Sequence, residues 1–188
     1  LTPERAVEIQ GSFGSDILMP LDECTEFPAG AVTAEKAMER TLAWAERSQD
    51  AWRRLADENS KFPNPNSEQT QETPMAERPE PRPRGALFGI VQGGTYPELR
   101  RECAARMVEM GFAGYAIGGL SVGEARPLTL EMVAATGECL PAEKPRYVMG
   151  VGLPEDLPQF VALGVDMMDC VLPTRNGRNG CLFTSQGK

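Results

Sequence analysis

Short apolar runs alternate with amphipathic segments along this chain, and that alternation restricts its fold more than any other feature. The runs are "SDILMPLDE" (15–23), "ALFGIVQ" (86–92), "GYAIGG" (114–119), "RYVMGV" (146–151) and "DMMDCVLP" (166–173). Each is nearly continuous in apolar residues, as expected of strands buried on both faces of a parallel sheet. Between them lie helical periodicities. Thr33 is placed to cap a long helix with Met38, Leu42, Ala45, Trp52 and Leu55 at helical spacing. A second helix runs from about Tyr96, with Leu99, Cys103, Met107 and Met110 on one face, to a stop at Gly111. Others are expected over 124–138 and in "PEDLPQFVALG". "LTPERAVEIQ" reads as a helix entry, with Thr2 as N-cap and Pro3 in the first turn.

A β-α repeat of this kind belongs to an α/β protein, either a doubly wound sheet or a stretch of a (β/α)8 barrel. No G-x-G-x-x-G follows the first strand and no G-x-x-x-x-G-K-[ST] occurs, so the nucleotide-fold signals are missing. The expectation is a partial (β/α)8 TIM barrel, one catalytic domain over 1–188. Residues 59–84, "NSKFPNPNSEQTQETPMAERPEPRPR", interrupt the pattern with six prolines and hardly an apolar residue. Such a segment buries too little surface to offset its ordering entropy and is expected to be a disordered insertion or linker.

Composition limits the chemistry. There is no histidine, so acid–base or nucleophilic work near neutral pH falls to carboxylates, cysteine, lysine or tyrosine. Cys24, Cys103, Cys139, Cys170 and Cys181 are scattered, with no C-x-x-C pair, which disfavours a zinc site or disulfide framework within the chain and suits reduced cytoplasmic thiols. A net charge of −8 argues against a generally basic nucleic-acid surface but leaves room for a local one. No apolar run approaches a membrane span, no signal-peptide pattern opens the chain, and an initiator methionine is absent, so a fragment is expected.

In parallel α/β folds the chemistry gathers at the C-terminal ends of strands. Here those ends carry Asp22, Glu23 and Cys24, then "VQGG" with Gln92, then Gly118, Gly119 and Leu120, then "MGVGLPED", then "DCVLPTRNGR". Taken singly, each has a plain structural reading as a turn or a cap, including Asp166 and Asp169. Their convergence on one rim favours an active site. Asp22 can accept two N–H bonds from an amidine-like edge, Gln92 can bond a carbonyl, and Gly119 and Leu120 can offer backbone N–H groups. Met149 and Val122 supply apolar faces. A purine of the guanine type presents that pattern.

"GSDILMPLDECTEFPAG", "FGIVQGG", "GFAGYAIGGLSVGE", "YVMGVGLPEDL" and "GVDMMDCVLPTRNGRNG" together resemble the consecutive motifs of bacterial tRNA-guanine transglycosylases (queuine tRNA-ribosyltransferases), in the family's order. The resemblance covers most of the chain apart from 59–84, which is longer than the family's usual connection. It implies that Asp169 is the nucleophile, attacking the anomeric carbon of the wobble guanosine of a tRNA and expelling guanine. A 7-aminomethyl-7-deazaguanine would then displace the carboxylate, with no redox cofactor or ATP. Asp22, Cys24, Gln92, Gly118, Gly119, Leu120, Val122 and Met149 match residues of the base pocket. Gly150, Val151, Gly152, Leu153, Pro154, Glu155 and Asp156, with Thr174, Arg175, Asn176, Gly177 and Arg178, match tRNA contact segments. In the family a general-base aspartate lies upstream of such a stretch, and a Zn(2+) site of three cysteines and a histidine lies beyond the position of Lys188. A cytoplasmic homodimer is implied for the full-length form. The rival readings are an archaeal-type enzyme acting in the tRNA core, an inert tRNA-binding paralogue, and an unrelated barrel glycosidase using Asp22 and Asp169 as its carboxylate pair.

Overall fold

The computed structural model describes residues 1–61 and 85–187. The element order is α1 (Pro3–Ser12), β1 (Ile17–Leu18), α2 (Ala31–Lys61), β2 (Ala86–Val91), α3 (Pro97–Met110), β3 (Gly114–Ile117), α4 (Arg126–Gly137), β4 (Arg146–Val148), α5 (Leu157–Ala162), β5 (Met167–Met168) and α6 (Leu172–Arg178). Beyond the last turn of α2, the insertion expected over 59–84 lies outside the described residues.

All five strands pair parallel, and their order in the sheet is β1-β2-β3-β4-β5. A doubly wound sheet reverses its strand order at the switch point. This sheet never reverses, so successive β-α units advance in one direction, as the partial barrel requires. Gly89 identifies the face that meets the helices: a Cβ there would stand 2.7 Å from the Phe112 ring and 3.2 Å from Met107 Sδ. By alternation Phe88, Ile90 and Gln92 occupy the opposite, inner face. On the helix side Leu87, Val91, Cys103, Met107, Met38 and Leu42 are fully or almost fully buried in one apolar cluster.

Local differences from the sequence expectation have physical causes. Thr2 does cap α1, its hydroxyl accepting the Arg5 N–H at 3.2 Å. Thr33 is not a cap. α2 starts two residues earlier, with Gly30 O accepting from the Thr33 and Ala34 N–H groups at 3.0 Å each. The first strand pairs over Ile17 and Leu18 only, because Pro20 has no N–H for a ladder. The Gln10 side chain takes over at Met19, accepting its N–H and donating to its carbonyl, both at 2.8 Å. The fifth strand also ends early, at Met168, and the Asn-Gly pair that follows, ordinarily a turn signal, lies within the short helix α6. Pro173 in its first turn is pre-set for helical φ and loses no needed donor.

Candidate active site

The register places the sequence-predicted residues in one layer. Val91, Ile117, Val148 and Met168 are lateral partners across β2 to β5. The residue after each is Gln92, Gly118, Met149 and Asp169. Four consecutive strands thus each contribute their next inner-face residue to a single row at the C-terminal rim.

At one end of the row Gln92, 1% exposed, donates from Nε2 to Asp22 Oδ2 at 2.6 Å. The backbone makes room for this pair. A Cβ on Gly118 would stand 2.9 Å from Gln92 Nε2, and one on Gly119 would stand 2.1 Å from Gln92 Oε1. Asp22, Gln92, Gly118 and Gly119 are therefore brought together, with Leu120 buried behind them. Cys24 and Val122 are exposed at the rim. Partial desolvation, and then the nearby Asp22 carboxylate, raise the Cys24 thiol and keep it protonated.

Desolvation raises the pKa of Asp22, against the opposing pull of its Gln92 hydrogen bond. The folded protein therefore holds this proton more tightly than the unfolded chain does. The group's contribution to stability is present below its unfolded pKa and is lost as pH rises through the folded value. Asp22→Asn keeps an acceptor for Gln92 and removes the buried charge. Its melting temperature is expected to exceed that of the parent at neutral pH, with the gap closing as pH falls into the ordinary carboxylate range. Thermal melts of both proteins across that range test this, and a parallel offset at every pH would contradict it.

At the other end of the row stands Asp169. The Tyr147 hydroxyl donates to its Oδ1 at 2.6 Å and the Gly150 N–H donates to the same oxygen at 2.7 Å. Among the described residues Oδ2 has no hydrogen-bond partner. Tyr147 sits one layer deeper, level with Ala116 and Met167. Its phenol is pushed well up by burial and then by Asp169, so it remains a donor throughout the working pH range. Asp166, three residues earlier, is structural: its Oδ2 accepts the Arg146 N–H at 2.9 Å.

The two segments expected to meet tRNA flank this carboxylate. In 150–156, Gly150, Pro154 and Glu155 are exposed and Gly152 and Leu153 are half-buried, whereas Val151 and Asp156 are buried. Asp156 faces into the fold, paired with Arg126 Nε at 2.5 Å. In α6, Thr174, Arg175, Gly177 and Arg178 are exposed and Asn176 is half-buried. Helical spacing of three sets both arginines on one side.

Three residues of the site escaped the sequence reading. Tyr147 lay inside a strand whose inward alternation was its only signal. Glu124 follows the quoted glycines. Burial opposes its charge, but the Thr129 hydroxyl at 2.7 Å and the Ser121 and Val122 N–H groups at 2.5 and 2.9 Å outweigh it, and its pKa is lowered. Arg100 belongs to the apolar face of α3 and is 0% exposed. No three His, Cys, Asp or Glu side chains converge among the described residues, and all five cysteines are free. No described helix is long and apolar enough to cross a membrane.

Comparison with known proteins gives the family. The family profile described as "Queuine tRNA-ribosyltransferase" matches residues 1–188. The chain is 51% identical over 187 residues to a queuine tRNA-ribosyltransferase of Solibacter usitatus (strain Ellin6076), covering 100% of this chain and 44% of that protein. It is also 51% identical to one from Caldanaerobacter subterraneus subsp. tengcongensis, over 100% of this chain and 43% of the relative. A third, from Shewanella denitrificans, is 48% identical over the same shares, 100% and 43%. The chain thus spans less than half the length of these relatives, and the matched part includes both ends of the strand-end row. With a match running from the first residue to the last, and a fold in which the motifs meet on one rim, the chain belongs to the queuine tRNA-ribosyltransferase family.

Proposed function

We propose that the full-length protein exchanges the wobble guanine of a tRNA for 7-aminomethyl-7-deazaguanine by two displacements at Asp169. The observation that carries this reading is the one-sided pinning of that carboxylate. Tyr147 and Gly150 both hold Oδ1, which leaves Oδ2 pre-aimed with its lone pairs available. Oδ2 bonds to the ribose anomeric carbon as the bond to guanine breaks, and the departing base takes the electron pair and a proton. The incoming base then forms the new N-glycosidic bond, gives up its ring N–H proton, and releases Asp169 as a carboxylate. Asp22, Gln92 and the Gly119 and Leu120 N–H groups bind either base by the edge both share. Extruding the nucleotide from the anticodon loop exposes the carbon under attack. An inert tRNA-binding paralogue has no use for a carboxylate held in this way, and a base pocket beside it favours a nucleoside over a plain sugar. A cytoplasmic homodimer goes with this reading.

The full-length protein, mixed with wobble-guanine tRNA and labelled guanine, is expected to incorporate label and to form a protein–tRNA band that survives denaturation. Absence of both sinks the reading. Arg175 and Arg178, on one side of α6 in a chain of net charge −8, would hold the phosphates beside the reacting nucleotide. Arg178→Ala is expected to weaken tRNA binding and to flatten its log–log salt dependence by up to about one unit. Free guanine should bind unchanged. Titrations of fluorescent tRNA at several salt concentrations decide it, and an unaltered slope and affinity would assign the arginines to plain surface.

A further inference from the structure

Arg100 is a fully buried cation, and no carboxylate lies within ion-pair distance of it among the described residues. Burial pulls its pKa down to about 10, so it stays charged at neutral pH. Its partners are backbone carbonyls from two different strand-end loops. Nε donates to Gly94 O at 2.7 Å, and one terminal nitrogen donates to Gly118 O at 3.0 Å and to Gly119 O at 3.4 Å. Close approach is built in at Gly93, with φ +138°, where a Cβ would stand 2.8 Å from Arg100 N and 3.0 Å from its Cγ.

The Gly118–Gly119 and Gly119–Leu120 peptides are both trans. In a planar trans peptide the N–H points opposite to the C=O. Fixing the two carbonyls on Arg100 therefore fixes the Gly119 and Leu120 N–H groups on the side away from it. Neither N–H has an acceptor among the described residues. Gly119 is half-buried and Leu120 buried; backbone donors withdrawn from water without a partner are costly, and two on the same side of one loop suit a ligand oxygen.

We infer that Arg100 is a positioning residue for base recognition: by holding the Gly118 and Gly119 carbonyls it presents the Gly119 and Leu120 N–H groups to the carbonyl oxygen of the bound base. It touches no substrate itself. The inference rests on the proposed function, because it needs a carbonyl-bearing base in the pocket. Lysine cannot replace it, since a single ammonium lacks the planar fork that reaches both loops.

The test uses the full-length protein with two ligands, guanine and 2-aminopurine, which lacks the carbonyl. Arg100→Lys is expected to weaken guanine binding about tenfold or more, the scale of losing well-aimed hydrogen bonds. 2-Aminopurine and tRNA should bind nearly as before. Equal losses for both bases, or none, overturn the inference, because a general loosening of the pocket would not distinguish them. Arg100→Gln serves where the lysine variant does not fold. In the unaltered protein, guanine should slow hydrogen exchange at the Gly119 and Leu120 amides and 2-aminopurine should not. Unprotected amides under saturating guanine overturn the inference whatever the variants do. If guanine fails to bind the unaltered protein at all, the functional reading has failed first, and this inference with it.

Discussion

Asp169→Asn in the full-length protein is expected to abolish base exchange while leaving the fold and tRNA binding intact. The reason is the asymmetry of the carboxylate. Both donors, Tyr147 OH and Gly150 N–H, use Oδ1. An asparagine will turn its carbonyl oxygen to that side, because its NH2 there would face two donors. The amide nitrogen then replaces Oδ2, and it has no lone pair available for attack on an anomeric carbon. The hydrogen bonds survive and the nucleophile does not. Exchange should fall by roughly 10³-fold or more, about 4 kcal/mol of transition-state stabilisation. The protein–tRNA band that resists denaturation should vanish, and the melting temperature should change little. Exchange within tenfold of the parent would remove Asp169 from the nucleophile's role.

Gly119→Ala should be the most damaging change in the proposed base pocket. Gly119 has φ +67°, where a Cβ is disfavoured, and that atom would stand 2.1 Å from Gln92 Oε1 and 3.1 Å from its Cδ. Gln92 cannot swing aside cheaply, because it is buried and bonded to Asp22 at 2.6 Å. Either the loop shifts or the carboxamide leaves its partner, and both outcomes spoil recognition of a base. The combined strain and crowding should cost about 2–4 kcal/mol of stability. Guanine binding should be lost. Gly111→Ala is the control, since Gly111 has φ +76° with nothing within 4 Å of an added Cβ. The difference in urea midpoint between the two variants isolates the crowding at Gln92. Equal midpoints would show that the pocket yields freely.

The architecture was legible because buried parallel strands are written as apolar runs, and the order of those runs is the order of the sheet. The rim was legible for a related reason: the residue that ends each run is the residue that ends each strand. Gln92, Gly118, Met149 and Asp169 could be placed before any side chain was seen. What could not be read depends on contacts distant in sequence. Thr33 looked like a cap, but Gly30 supplies the first helical carbonyl. An Asn-Gly pair is ordinarily a turn signal, but Pro173 starts a helix that runs through this one. Asp156 lay in an expected tRNA segment, and only the fold shows it turned inward to Arg126. Arg100 was invisible as a site residue because a charge within an amphipathic helix is ordinarily a solvated one. Nothing local says that this one reaches three carbonyls beneath the pocket.

The row of four strand-end residues sets a length scale. Adjacent strands stand roughly 4.8 Å apart, so the gap between Gln92, the proposed recognition end, and Asp169, the proposed reactive end, is counted in whole strands. Substitutions at either end can change what is bound or how fast it reacts, but they leave the span alone. The sheet is a ruler whose divisions are backbone hydrogen bonds, and its reading changes only if an entire strand is gained or lost.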